Sequence, residues 1–330
     1  MNILGERKVL LSIPQLNFEK DQEIFSDDLI QEFSSVNLYE KECVNISVDG
    51  IVFRGLSIDP LSFIWDHQKK YYNKYYILKQ HLFCKRIVVK ETLLICFDNW
   101  AIGYYHWICD FLPRYLMCKE YVSYDIKIVL PSDFNREYII KTLEIFGKHT
   151  IKYLNKGEYF SAKKILISDR PSPSGRVDKE LMNKIKSGIK QYWNIQDDNP
   201  IRKVYISRNK ATRRKLTNNQ EIEAVFLKYG YEIICFEEYS FEDQVRIASS
   251  SRIMAGLHGA NLLNSMFMNK GMDLFEFRLQ SFGGNTYFNI SEAFELNYHY
   301  CISPTSPEIL DHIYIDPEFI EEVLIRDKLY

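Results

Sequence analysis

"RIMAGLHGANLLNSMF", Arg252–Phe267, sets an apolar run against a turn of two glycines and a histidine. Ile253 to Ala255 suit a buried strand, and Leu262, Leu263, Met266 and Phe267 recur at spacings that a helix buries. Gly256 and Gly259 let the backbone turn sharply between the two, so the stretch reads as a strand handing over to a helix. The same alternation extends on both sides. "KVYIS" (203–207), "YEIICF" (231–236) and "MDLFEF" (272–277) read as strands. Helical patterns run from about Asn219 to Tyr229 and from about Phe241 to Ala248. Strands alternating with short helices predict an α/β fold, with a parallel, Rossmann-like sheet covered on both faces. "DPEFIEEVLIRDKLY" (316–330) closes the chain as an amphipathic helix capped by Asp316, with Pro317 in its first turn.

"NIQDDNP", Asn194–Pro200, is polar, acidic and ends in proline, as linkers do. A boundary there predicts an N-terminal domain, residues 1–198, and a C-terminal domain, residues 199–330. In the first domain "RIVVKETLLICF" (86–97) reads as one or two strands, and "YYHWICDFLPRYLMCKEY" (104–121) as a helix kinked or started at Pro113. A buried strand at Ile126–Leu130, a helix from Asn135 to Phe146 stopped by Gly147, a strand "KKILI" (163–167) and a helix from Asp178 to about Trp193 follow. Residues 1–85, with the cluster "YYNKYYILKQH" (71–81), read only as irregular or edge structure.

With 330 residues, of which 46% are hydrophobic and 26% charged, the chain has apolar mass for packed cores. A net charge of -2 supplies no global field for phosphate backbones, so nucleic acid is not expected as a partner. Seven scattered cysteines without a C-x-x-C pair predict reduced, mostly buried thiols rather than a zinc knuckle or a disulfide framework. The N-terminal apolar run is too short for a secretory signal, and no stretch approaches the ~18 apolar residues of a membrane span. The expectation is a cytoplasmic protein with at most peripheral membrane association, whose N-x-S sequons at Asn45 and Asn289 carry no glycan.

Ligands of such sheets sit beyond the strand carboxyl ends, where helix N-termini present unpaired N–H groups. Gly256 and Gly259 allow close approach of a phosphate, His258 adds an imidazole donor, and the amides of Gly259, Ala260 and Asn261 open the helix toward an anion. A capped tight turn with no ligand has the same sequence. "VYISRNKATRRKLTN" (204–218) puts Arg208 at the end of the first strand, with Lys210, Arg213, Arg214 and Lys215 behind it. Arg208 and Arg213 are spaced to clamp a diphosphate; the alternative is a solvated basic loop. Glu237, Glu238 and Glu276 stand where ribose hydroxyls are taken, Glu238 being preferred, and each also suits a structural acid. There is no D-x-D triplet and the histidines are dispersed, so neither a metal nor another cofactor is indicated. In the first domain His106 and Asp110 are four apart, on one face of a helix, with Arg114 extending the stripe. They form either a general base with its orienting carboxylate or a pair locking helix to sheet.

"GYYHWICDFLPRY", "YISRNKATRRKLTNNQEI" and "FEEYSFEDQVRIASSSRIMAGLHGANLLNSMFM", in this order and spacing, resemble family 61 glycosyltransferases, especially bacterial members of capsular and surface polysaccharide synthesis. The likeness covers about Asp98 to Phe277, and the H-G-A core followed by L-x-N is its most specific part. It implies a GT-B architecture of two Rossmann-like domains facing a cleft, and an inverting, metal-independent transfer. The donor it implies is a nucleotide diphosphate sugar, the acceptor a glycan or lipid-linked glycan. The family pattern falls on His106, Asp110, Arg208, Arg213, His258, Gly259, Ala260 and Asn264; Asn261 departs from it, standing where a smaller residue is usual. The runner-up expectations are a polysaccharide pyruvyl transferase and a noncatalytic glycan- or nucleotide-binding module.

Overall fold

The computed structural model describes residues 1–17, 19–123, 125–196, 199–211, 213–280, 284–303 and 312–330. The chain is α/β and divides into two compact units. The first comprises Met1–Arg7, Glu32–Ser174 and Glu180–Ile185; the second comprises Lys8–Gln31, Gly175–Lys179 and Lys186–Tyr330.

The second unit is built on five parallel strands, β1 (Arg202–Ile206), β2 (Glu232–Ile234), β3 (Ser251–Leu257), β4 (Asp273–Leu279) and β5 (Asn297–Ser303). Their order is β2-β1-β3-β4-β5. The chain moves outward from β1 to β2 and returns on the other side of β1 as β3, so the winding reverses between β1 and β3. Helices α1 (Asn219–Lys228), α2 (Phe241–Ser249), α3 (Thr286–Phe294) and α4 (Pro317–Arg326) connect or cover the strands. One face packs Tyr205, Ile253, Leu257, Phe275 and Phe277 against Ile222 and Phe226 of α1 and Ile320, Val323 and Leu324 of α4. Phe226 stacks on Tyr205 with centroids 4.3 Å apart. Truncating a ring of this kind costs about 3–5 kcal/mol.

On the other face Phe241 of α2 meets Phe267 at 6.3 Å. Phe25 sets its edge against Phe288 of α3 at 5.1 Å and Tyr300 of β5 at 5.1 Å. That ring belongs to the segment Lys8–Gln31, which is tied in by buried polar contacts: Tyr300 Oη donates to Asp21 Oδ2 at 2.7 Å, and Asn285 Nδ2 to Asp28 Oδ2 at 2.8 Å. The sequon Asn289 is spent in the same region, donating to the Gly175 carbonyl at 2.9 Å and accepting from Gln31 at 2.8 Å.

The first unit has a mixed sheet. Ile151–Leu154, Lys127–Pro131, Leu93–Ile95 and Glu158–Ser168 run parallel, as α/β periodicity predicts. Glu158–Ser168 then pairs antiparallel with Val36–Ser47, from Tyr159 opposite Ser47 to Ser168 opposite Leu38. Two short antiparallel strands, Val52–Arg54 and Ser57–Ile58, extend it. Residues that sequence left unassigned thus supply one long, regular strand, Val36–Ser47, and "KYYILKQHLF" forms a helix, Lys74–Phe83, where irregular structure was expected. All seven cysteines are unpaired, and Cys96, Cys109, Cys118 and Cys301 are buried. No helix of the described residues is long and apolar enough to cross a membrane.

Candidate active site

In the second unit the residues converge on the β1/β3 switch point, the place where doubly wound sheets hold ligands. Ile206, the last residue of β1, pairs in register with Gly256 of β3. A Cβ on Gly256 would stand 3.3 Å from Ile206 Cβ and 3.4 Å from Leu262 Cδ1, so the glycine lets strand and helix close up. The expected helix Ala260–Phe267 is present in 3-10 form. Its first bond runs from Leu262 N–H to the Gly259 carbonyl at 2.9 Å, which leaves the amides of Gly259, Ala260 and Asn261 without intrahelical acceptors.

Arg208 follows β1 and lies over this turn. Its Nε donates to the Arg214 carbonyl at 3.0 Å and its Nη2 to the Arg213 carbonyl at 2.7 Å. The remaining nitrogen, Nη1, lies against Gly259: a Cβ there would overlap Nη1 and stand 3.2 Å from Cζ. A side chain at Gly259 would displace the guanidinium from this position. Burial, reinforced by the charge of Arg214, pulls the Arg208 pKa below its ordinary value. Arg213 contributes its carbonyl to Arg208 while the residue itself is exposed. It is Arg214, in a left-handed conformation at φ 54°, whose Nη1 reaches the His258 carbonyl at 3.2 Å. The β1 end is anchored from α1 by Glu223, which accepts from Ser207 Oγ at 2.6 Å and Asn209 Nδ2 at 2.8 Å.

His258 is held from below. Its Nδ1 bonds Glu276 Oε1 of β4, and Tyr298 Oη of β5 donates to Glu276 Oε2 at 2.5 Å. Glu276 is fully buried. Burial alone raises its pKa, but the charge and hydrogen bond of His258, helped by Arg278 and Tyr298, outweigh that and hold it below the ordinary carboxyl value. Tyr287 of α3 sets its ring edge-on to His258 at 5.2 Å and donates to the Gly259 carbonyl.

The acids expected to take a ribose separate. Glu237 accepts from Asn261 Nδ2 at 2.9 Å and so touches the turn, whereas Glu238 pairs with Lys210 at the exposed rim. Asn264 is fully buried and donates to Gln244 Oε1 of α2 at 3.2 Å. Sequence reasoning missed Glu223 and Tyr287. Glu276 did carry a signal, being a carboxylate inside the apolar run "LFEFR".

In the first unit Gly103 leads into a helical turn, Tyr104–His106, followed by a π-helical turn, Trp107–Phe111, and a helix, Leu112–Lys119, with Pro113 in its first turn. Such π turns recur at functional sites. Trp107 stacks on Phe111 at 3.9 Å and donates to Thr142 Oγ1 at 2.7 Å, which fixes the widened turn. His106 Nδ1 bonds Asp110 Oδ2 at 2.7 Å, and Ser174 Oγ donates to the same oxygen at 3.1 Å. The His106 side chain is 20% exposed and that of Asp110 3%. Nδ1 therefore carries the proton that the carboxylate accepts, and Nε2 is the basic nitrogen.

Arg114 does not extend this polar stripe. The wider i→i+5 turn rotates it into the core, where it is 1% exposed and donates to the Ser168 and Cys96 carbonyls. Rings surround the imidazole instead: Tyr105 at 5.4 Å, Trp100 at 5.7 Å and Trp65 at 5.9 Å. Asp98 accepts from Trp100 N–H at 2.8 Å and pairs with Arg170 at 2.9 Å. Gln68 Oε1 accepts from Trp65 N–H at 3.1 Å, and its Nε2 donates to Asn99 Oδ1 at 3.3 Å, joining the two indole-bearing loops. Among the described residues no group of three or more His, Cys, Asp and Glu side chains is arranged to hold a metal ion.

A doubly wound parallel sheet with a glycine turn and a guanidinium at its switch point belongs to the Rossmann-like class of α/β architectures. Within that class the chain belongs to glycosyltransferase family 61, whose sequence profile matches residues 104–275. Among curated proteins, the EGF domain-specific O-linked N-acetylglucosamine transferase of Bos taurus is 21% identical over 289 residues, 79% of this chain and 53% of that protein. The proteins of the same name from Rattus norvegicus and Gallus gallus are each 24% identical over 222 residues, 58% of this chain and 41% of theirs. The chain spans about half the length of the curated relatives it matches. Family membership makes it a glycosyltransferase, and the pyruvyl-transfer and noncatalytic alternatives give way to that.

Proposed function

We propose that the chain moves a sugar from a nucleotide diphosphate sugar to a hydroxyl of a glycan or lipid-linked glycan acceptor, with inversion and without a metal. The setting we infer is capsular or other surface polysaccharide synthesis in the cytoplasm. In the GT-B arrangement this entails, residues 199–330 take the donor and residues 1–198 the acceptor.

The observation that supports this reading best is the meeting of Arg208 Nη1 with Gly259 at a turn whose first three amides lack helical partners. A departing diphosphate would accept from these groups, and cations and dipoles fixed in advance stabilise developing charge without reorganising. His258, aimed by Glu276, lies in the same turn. On the acceptor side, His106 Nε2 takes the hydroxyl proton as the oxygen attacks the anomeric carbon. The new C–O bond forms on the face opposite the breaking bond to phosphate, and the nucleoside diphosphate leaves with that electron pair. Asp110 steadies the imidazolium that results. Trp65 and Trp100 offer ring faces on which the apolar face of an acceptor sugar packs.

The test is release of nucleoside diphosphate from a panel of UDP, GDP and CDP sugars, with phosphoenolpyruvate as a parallel substrate and EDTA in half the samples. The names of the relatives put an N-acetylglucosamine donor first in the panel. Release from one donor, unaffected by EDTA, is expected. Activity abolished by EDTA and restored by manganese or magnesium would remove the metal-free mechanism, and consumption of phosphoenolpyruvate alone would remove sugar transfer.

A further inference from the structure

One helix of the first unit is apolar on the side that packing leaves outside. Lys74–Phe83 starts at Asn73, whose side chain accepts from Tyr75 N–H, and it buries Ile77 and Gln80. Ile77 joins Ile51, Phe53 and Tyr159 in a local core. Tyr75, Leu78 and Leu82 share the opposite face by their spacing and are 65%, 41% and 72% exposed. Tyr71 before the helix and Phe83 at its end are 66% and 79% exposed. Single exposed apolar residues are ordinary, but a set gathered on one helix face marks a contact surface.

The charge around this face decides what it contacts. No Asp or Glu occurs between Asp66 and Glu91, whereas Lys70, Lys74, Lys79, Lys85, Arg86 and Lys90 do, all of them exposed, in a chain whose net charge is -2; Lys69 is paired with Asp66 at 2.6 Å. At 3.6 residues per turn Lys74 and Lys79 fall on either side of the Tyr75–Leu78–Leu82 stripe. Lys70 Nζ lies 6.0 Å from the Tyr71 ring centre and Lys74 Nζ 5.3 Å from that of Tyr75. An apolar centre, tyrosines beside it and ammonium groups at the rim match, in turn, acyl chains, the headgroup level and lipid phosphates. A second copy of the same face would bring these cations against one another.

We propose that the Lys74–Phe83 helix docks the first unit peripherally onto an anionic lipid bilayer, lying in the plane of the interface with its flanking lysines on lipid phosphates. Docking of this kind is independent of which sugar is transferred, and it is measured without donor or acceptor.

The experiment is flotation of the full chain with phosphatidylcholine vesicles, with and without phosphatidylglycerol. Binding is expected only to the phosphatidylglycerol vesicles, and it weakens as salt rises. The double variant Leu78→Glu, Leu82→Glu is expected to bind about tenfold more weakly or worse with an unchanged melting temperature, and Lys74→Glu, Lys79→Glu to lose a similar factor. Absence of the parent from both vesicle fractions overturns the proposal. So does undiminished binding by both variants. Sedimentation showing a parent dimer that the leucine variant turns into monomer, with vesicle binding unchanged, would make the face a self-association surface instead.

Discussion

Replacing Gly259 by alanine tests the steric link between the glycine turn and the arginine. Gly259 has φ 175°, extended backbone that any residue adopts, so alanine meets no backbone strain. The added methyl overlaps Arg208 Nη1 and stands 3.2 Å from Cζ. The guanidinium cannot simply swing away, because Nε and Nη2 are held by the Arg214 and Arg213 carbonyls at 3.0 and 2.7 Å. Overpacking of this kind costs about 1–3 kcal/mol, and losing one of the two charged hydrogen bonds instead costs about 1.5–3 kcal/mol. Either route predicts a melting temperature lower by several degrees, since 1 kcal/mol is worth about 2–4 °C in a unit of this size. If Arg208 also holds the diphosphate, nucleoside diphosphate affinity measured by titration calorimetry falls about tenfold or more, the factor that 1.4 kcal/mol supplies. Gly256→Ala is the control, because its methyl meets Ile206 Cβ and Leu262 Cδ1 and not the arginine. It is expected to lose stability while the folded fraction keeps its affinity. Equal affinity loss in both variants, or none in Gly259→Ala, would refute the steric link.

Other perturbations follow from the buried charges. His258→Ala leaves the buried Glu276 carboxylate without its hydrogen-bond partner at Oε1, which costs about 1–3 kcal/mol or more for a charged group, whereas Glu276→Gln with His258 intact costs less; calorimetric unfolding of the two variants gives the ranking. Glu276 sits below the ordinary carboxyl value, so the stability it contributes is present above about pH 4.5 and is lost as pH falls through the folded value. His299 bonds Asp327 at 3.0 Å and Asp273 at 3.1 Å. Burial lowers its pKa, but the two carboxylates outweigh that and raise it, so its contribution is full below about pH 6.5 and is lost as pH rises through the folded value. His299→Gln should flatten melting temperature against pH on that alkaline side, and an unchanged slope counts against the assignment. Asp110→Asn and His106→Ala should lower single-turnover rate by about 100-fold to 10,000-fold with donor affinity unchanged; normal rates in a destabilised protein would leave the pair a purely structural role.

Periodicity revealed the elements that are apolar on one side only, or buried along their whole length as strands. β1, β3 and β4 are runs of buried residues bounded by turn chemistry, and they were legible for that reason. Helix α3 was not, because Tyr287, Phe288, Asn289, Ile290, Ser291, Ala293 and Phe294 are all buried and no polar face remains to set a period. The helix Lys74–Phe83 failed for the opposite reason, having an apolar surface both inside and outside. The placement of Lys8–Gln31 in the second unit rests on pairings such as Asp21 with Tyr300 and Asp28 with Asn285, more than 250 residues apart, which no local pattern announces.

At the site, residue types were easier to foresee than their partners. The basic loop after β1 was visible as a charge run, but its sequence does not say that Arg208 spends two nitrogens on the carbonyls of Arg213 and Arg214 and keeps one over Gly259. Main-chain acceptors are present at every position, so a cation's choice among them is set by loop conformation alone. Glu276 is different. A carboxylate at a position that periodicity assigns to the core must have a cation or donor within reach, since burying it alone costs several kcal/mol. Its partners can then be sought across the neighbouring strands: Glu276 pairs in register with Gly256 on one side and Tyr300 on the other. Residues two removed from a register partner share its side of the sheet, which brings in His258 and Tyr298. These are the two side chains that hold the carboxylate, so here the chemistry of a single buried charge, joined to strand order, was enough to assemble the support of the glycine turn.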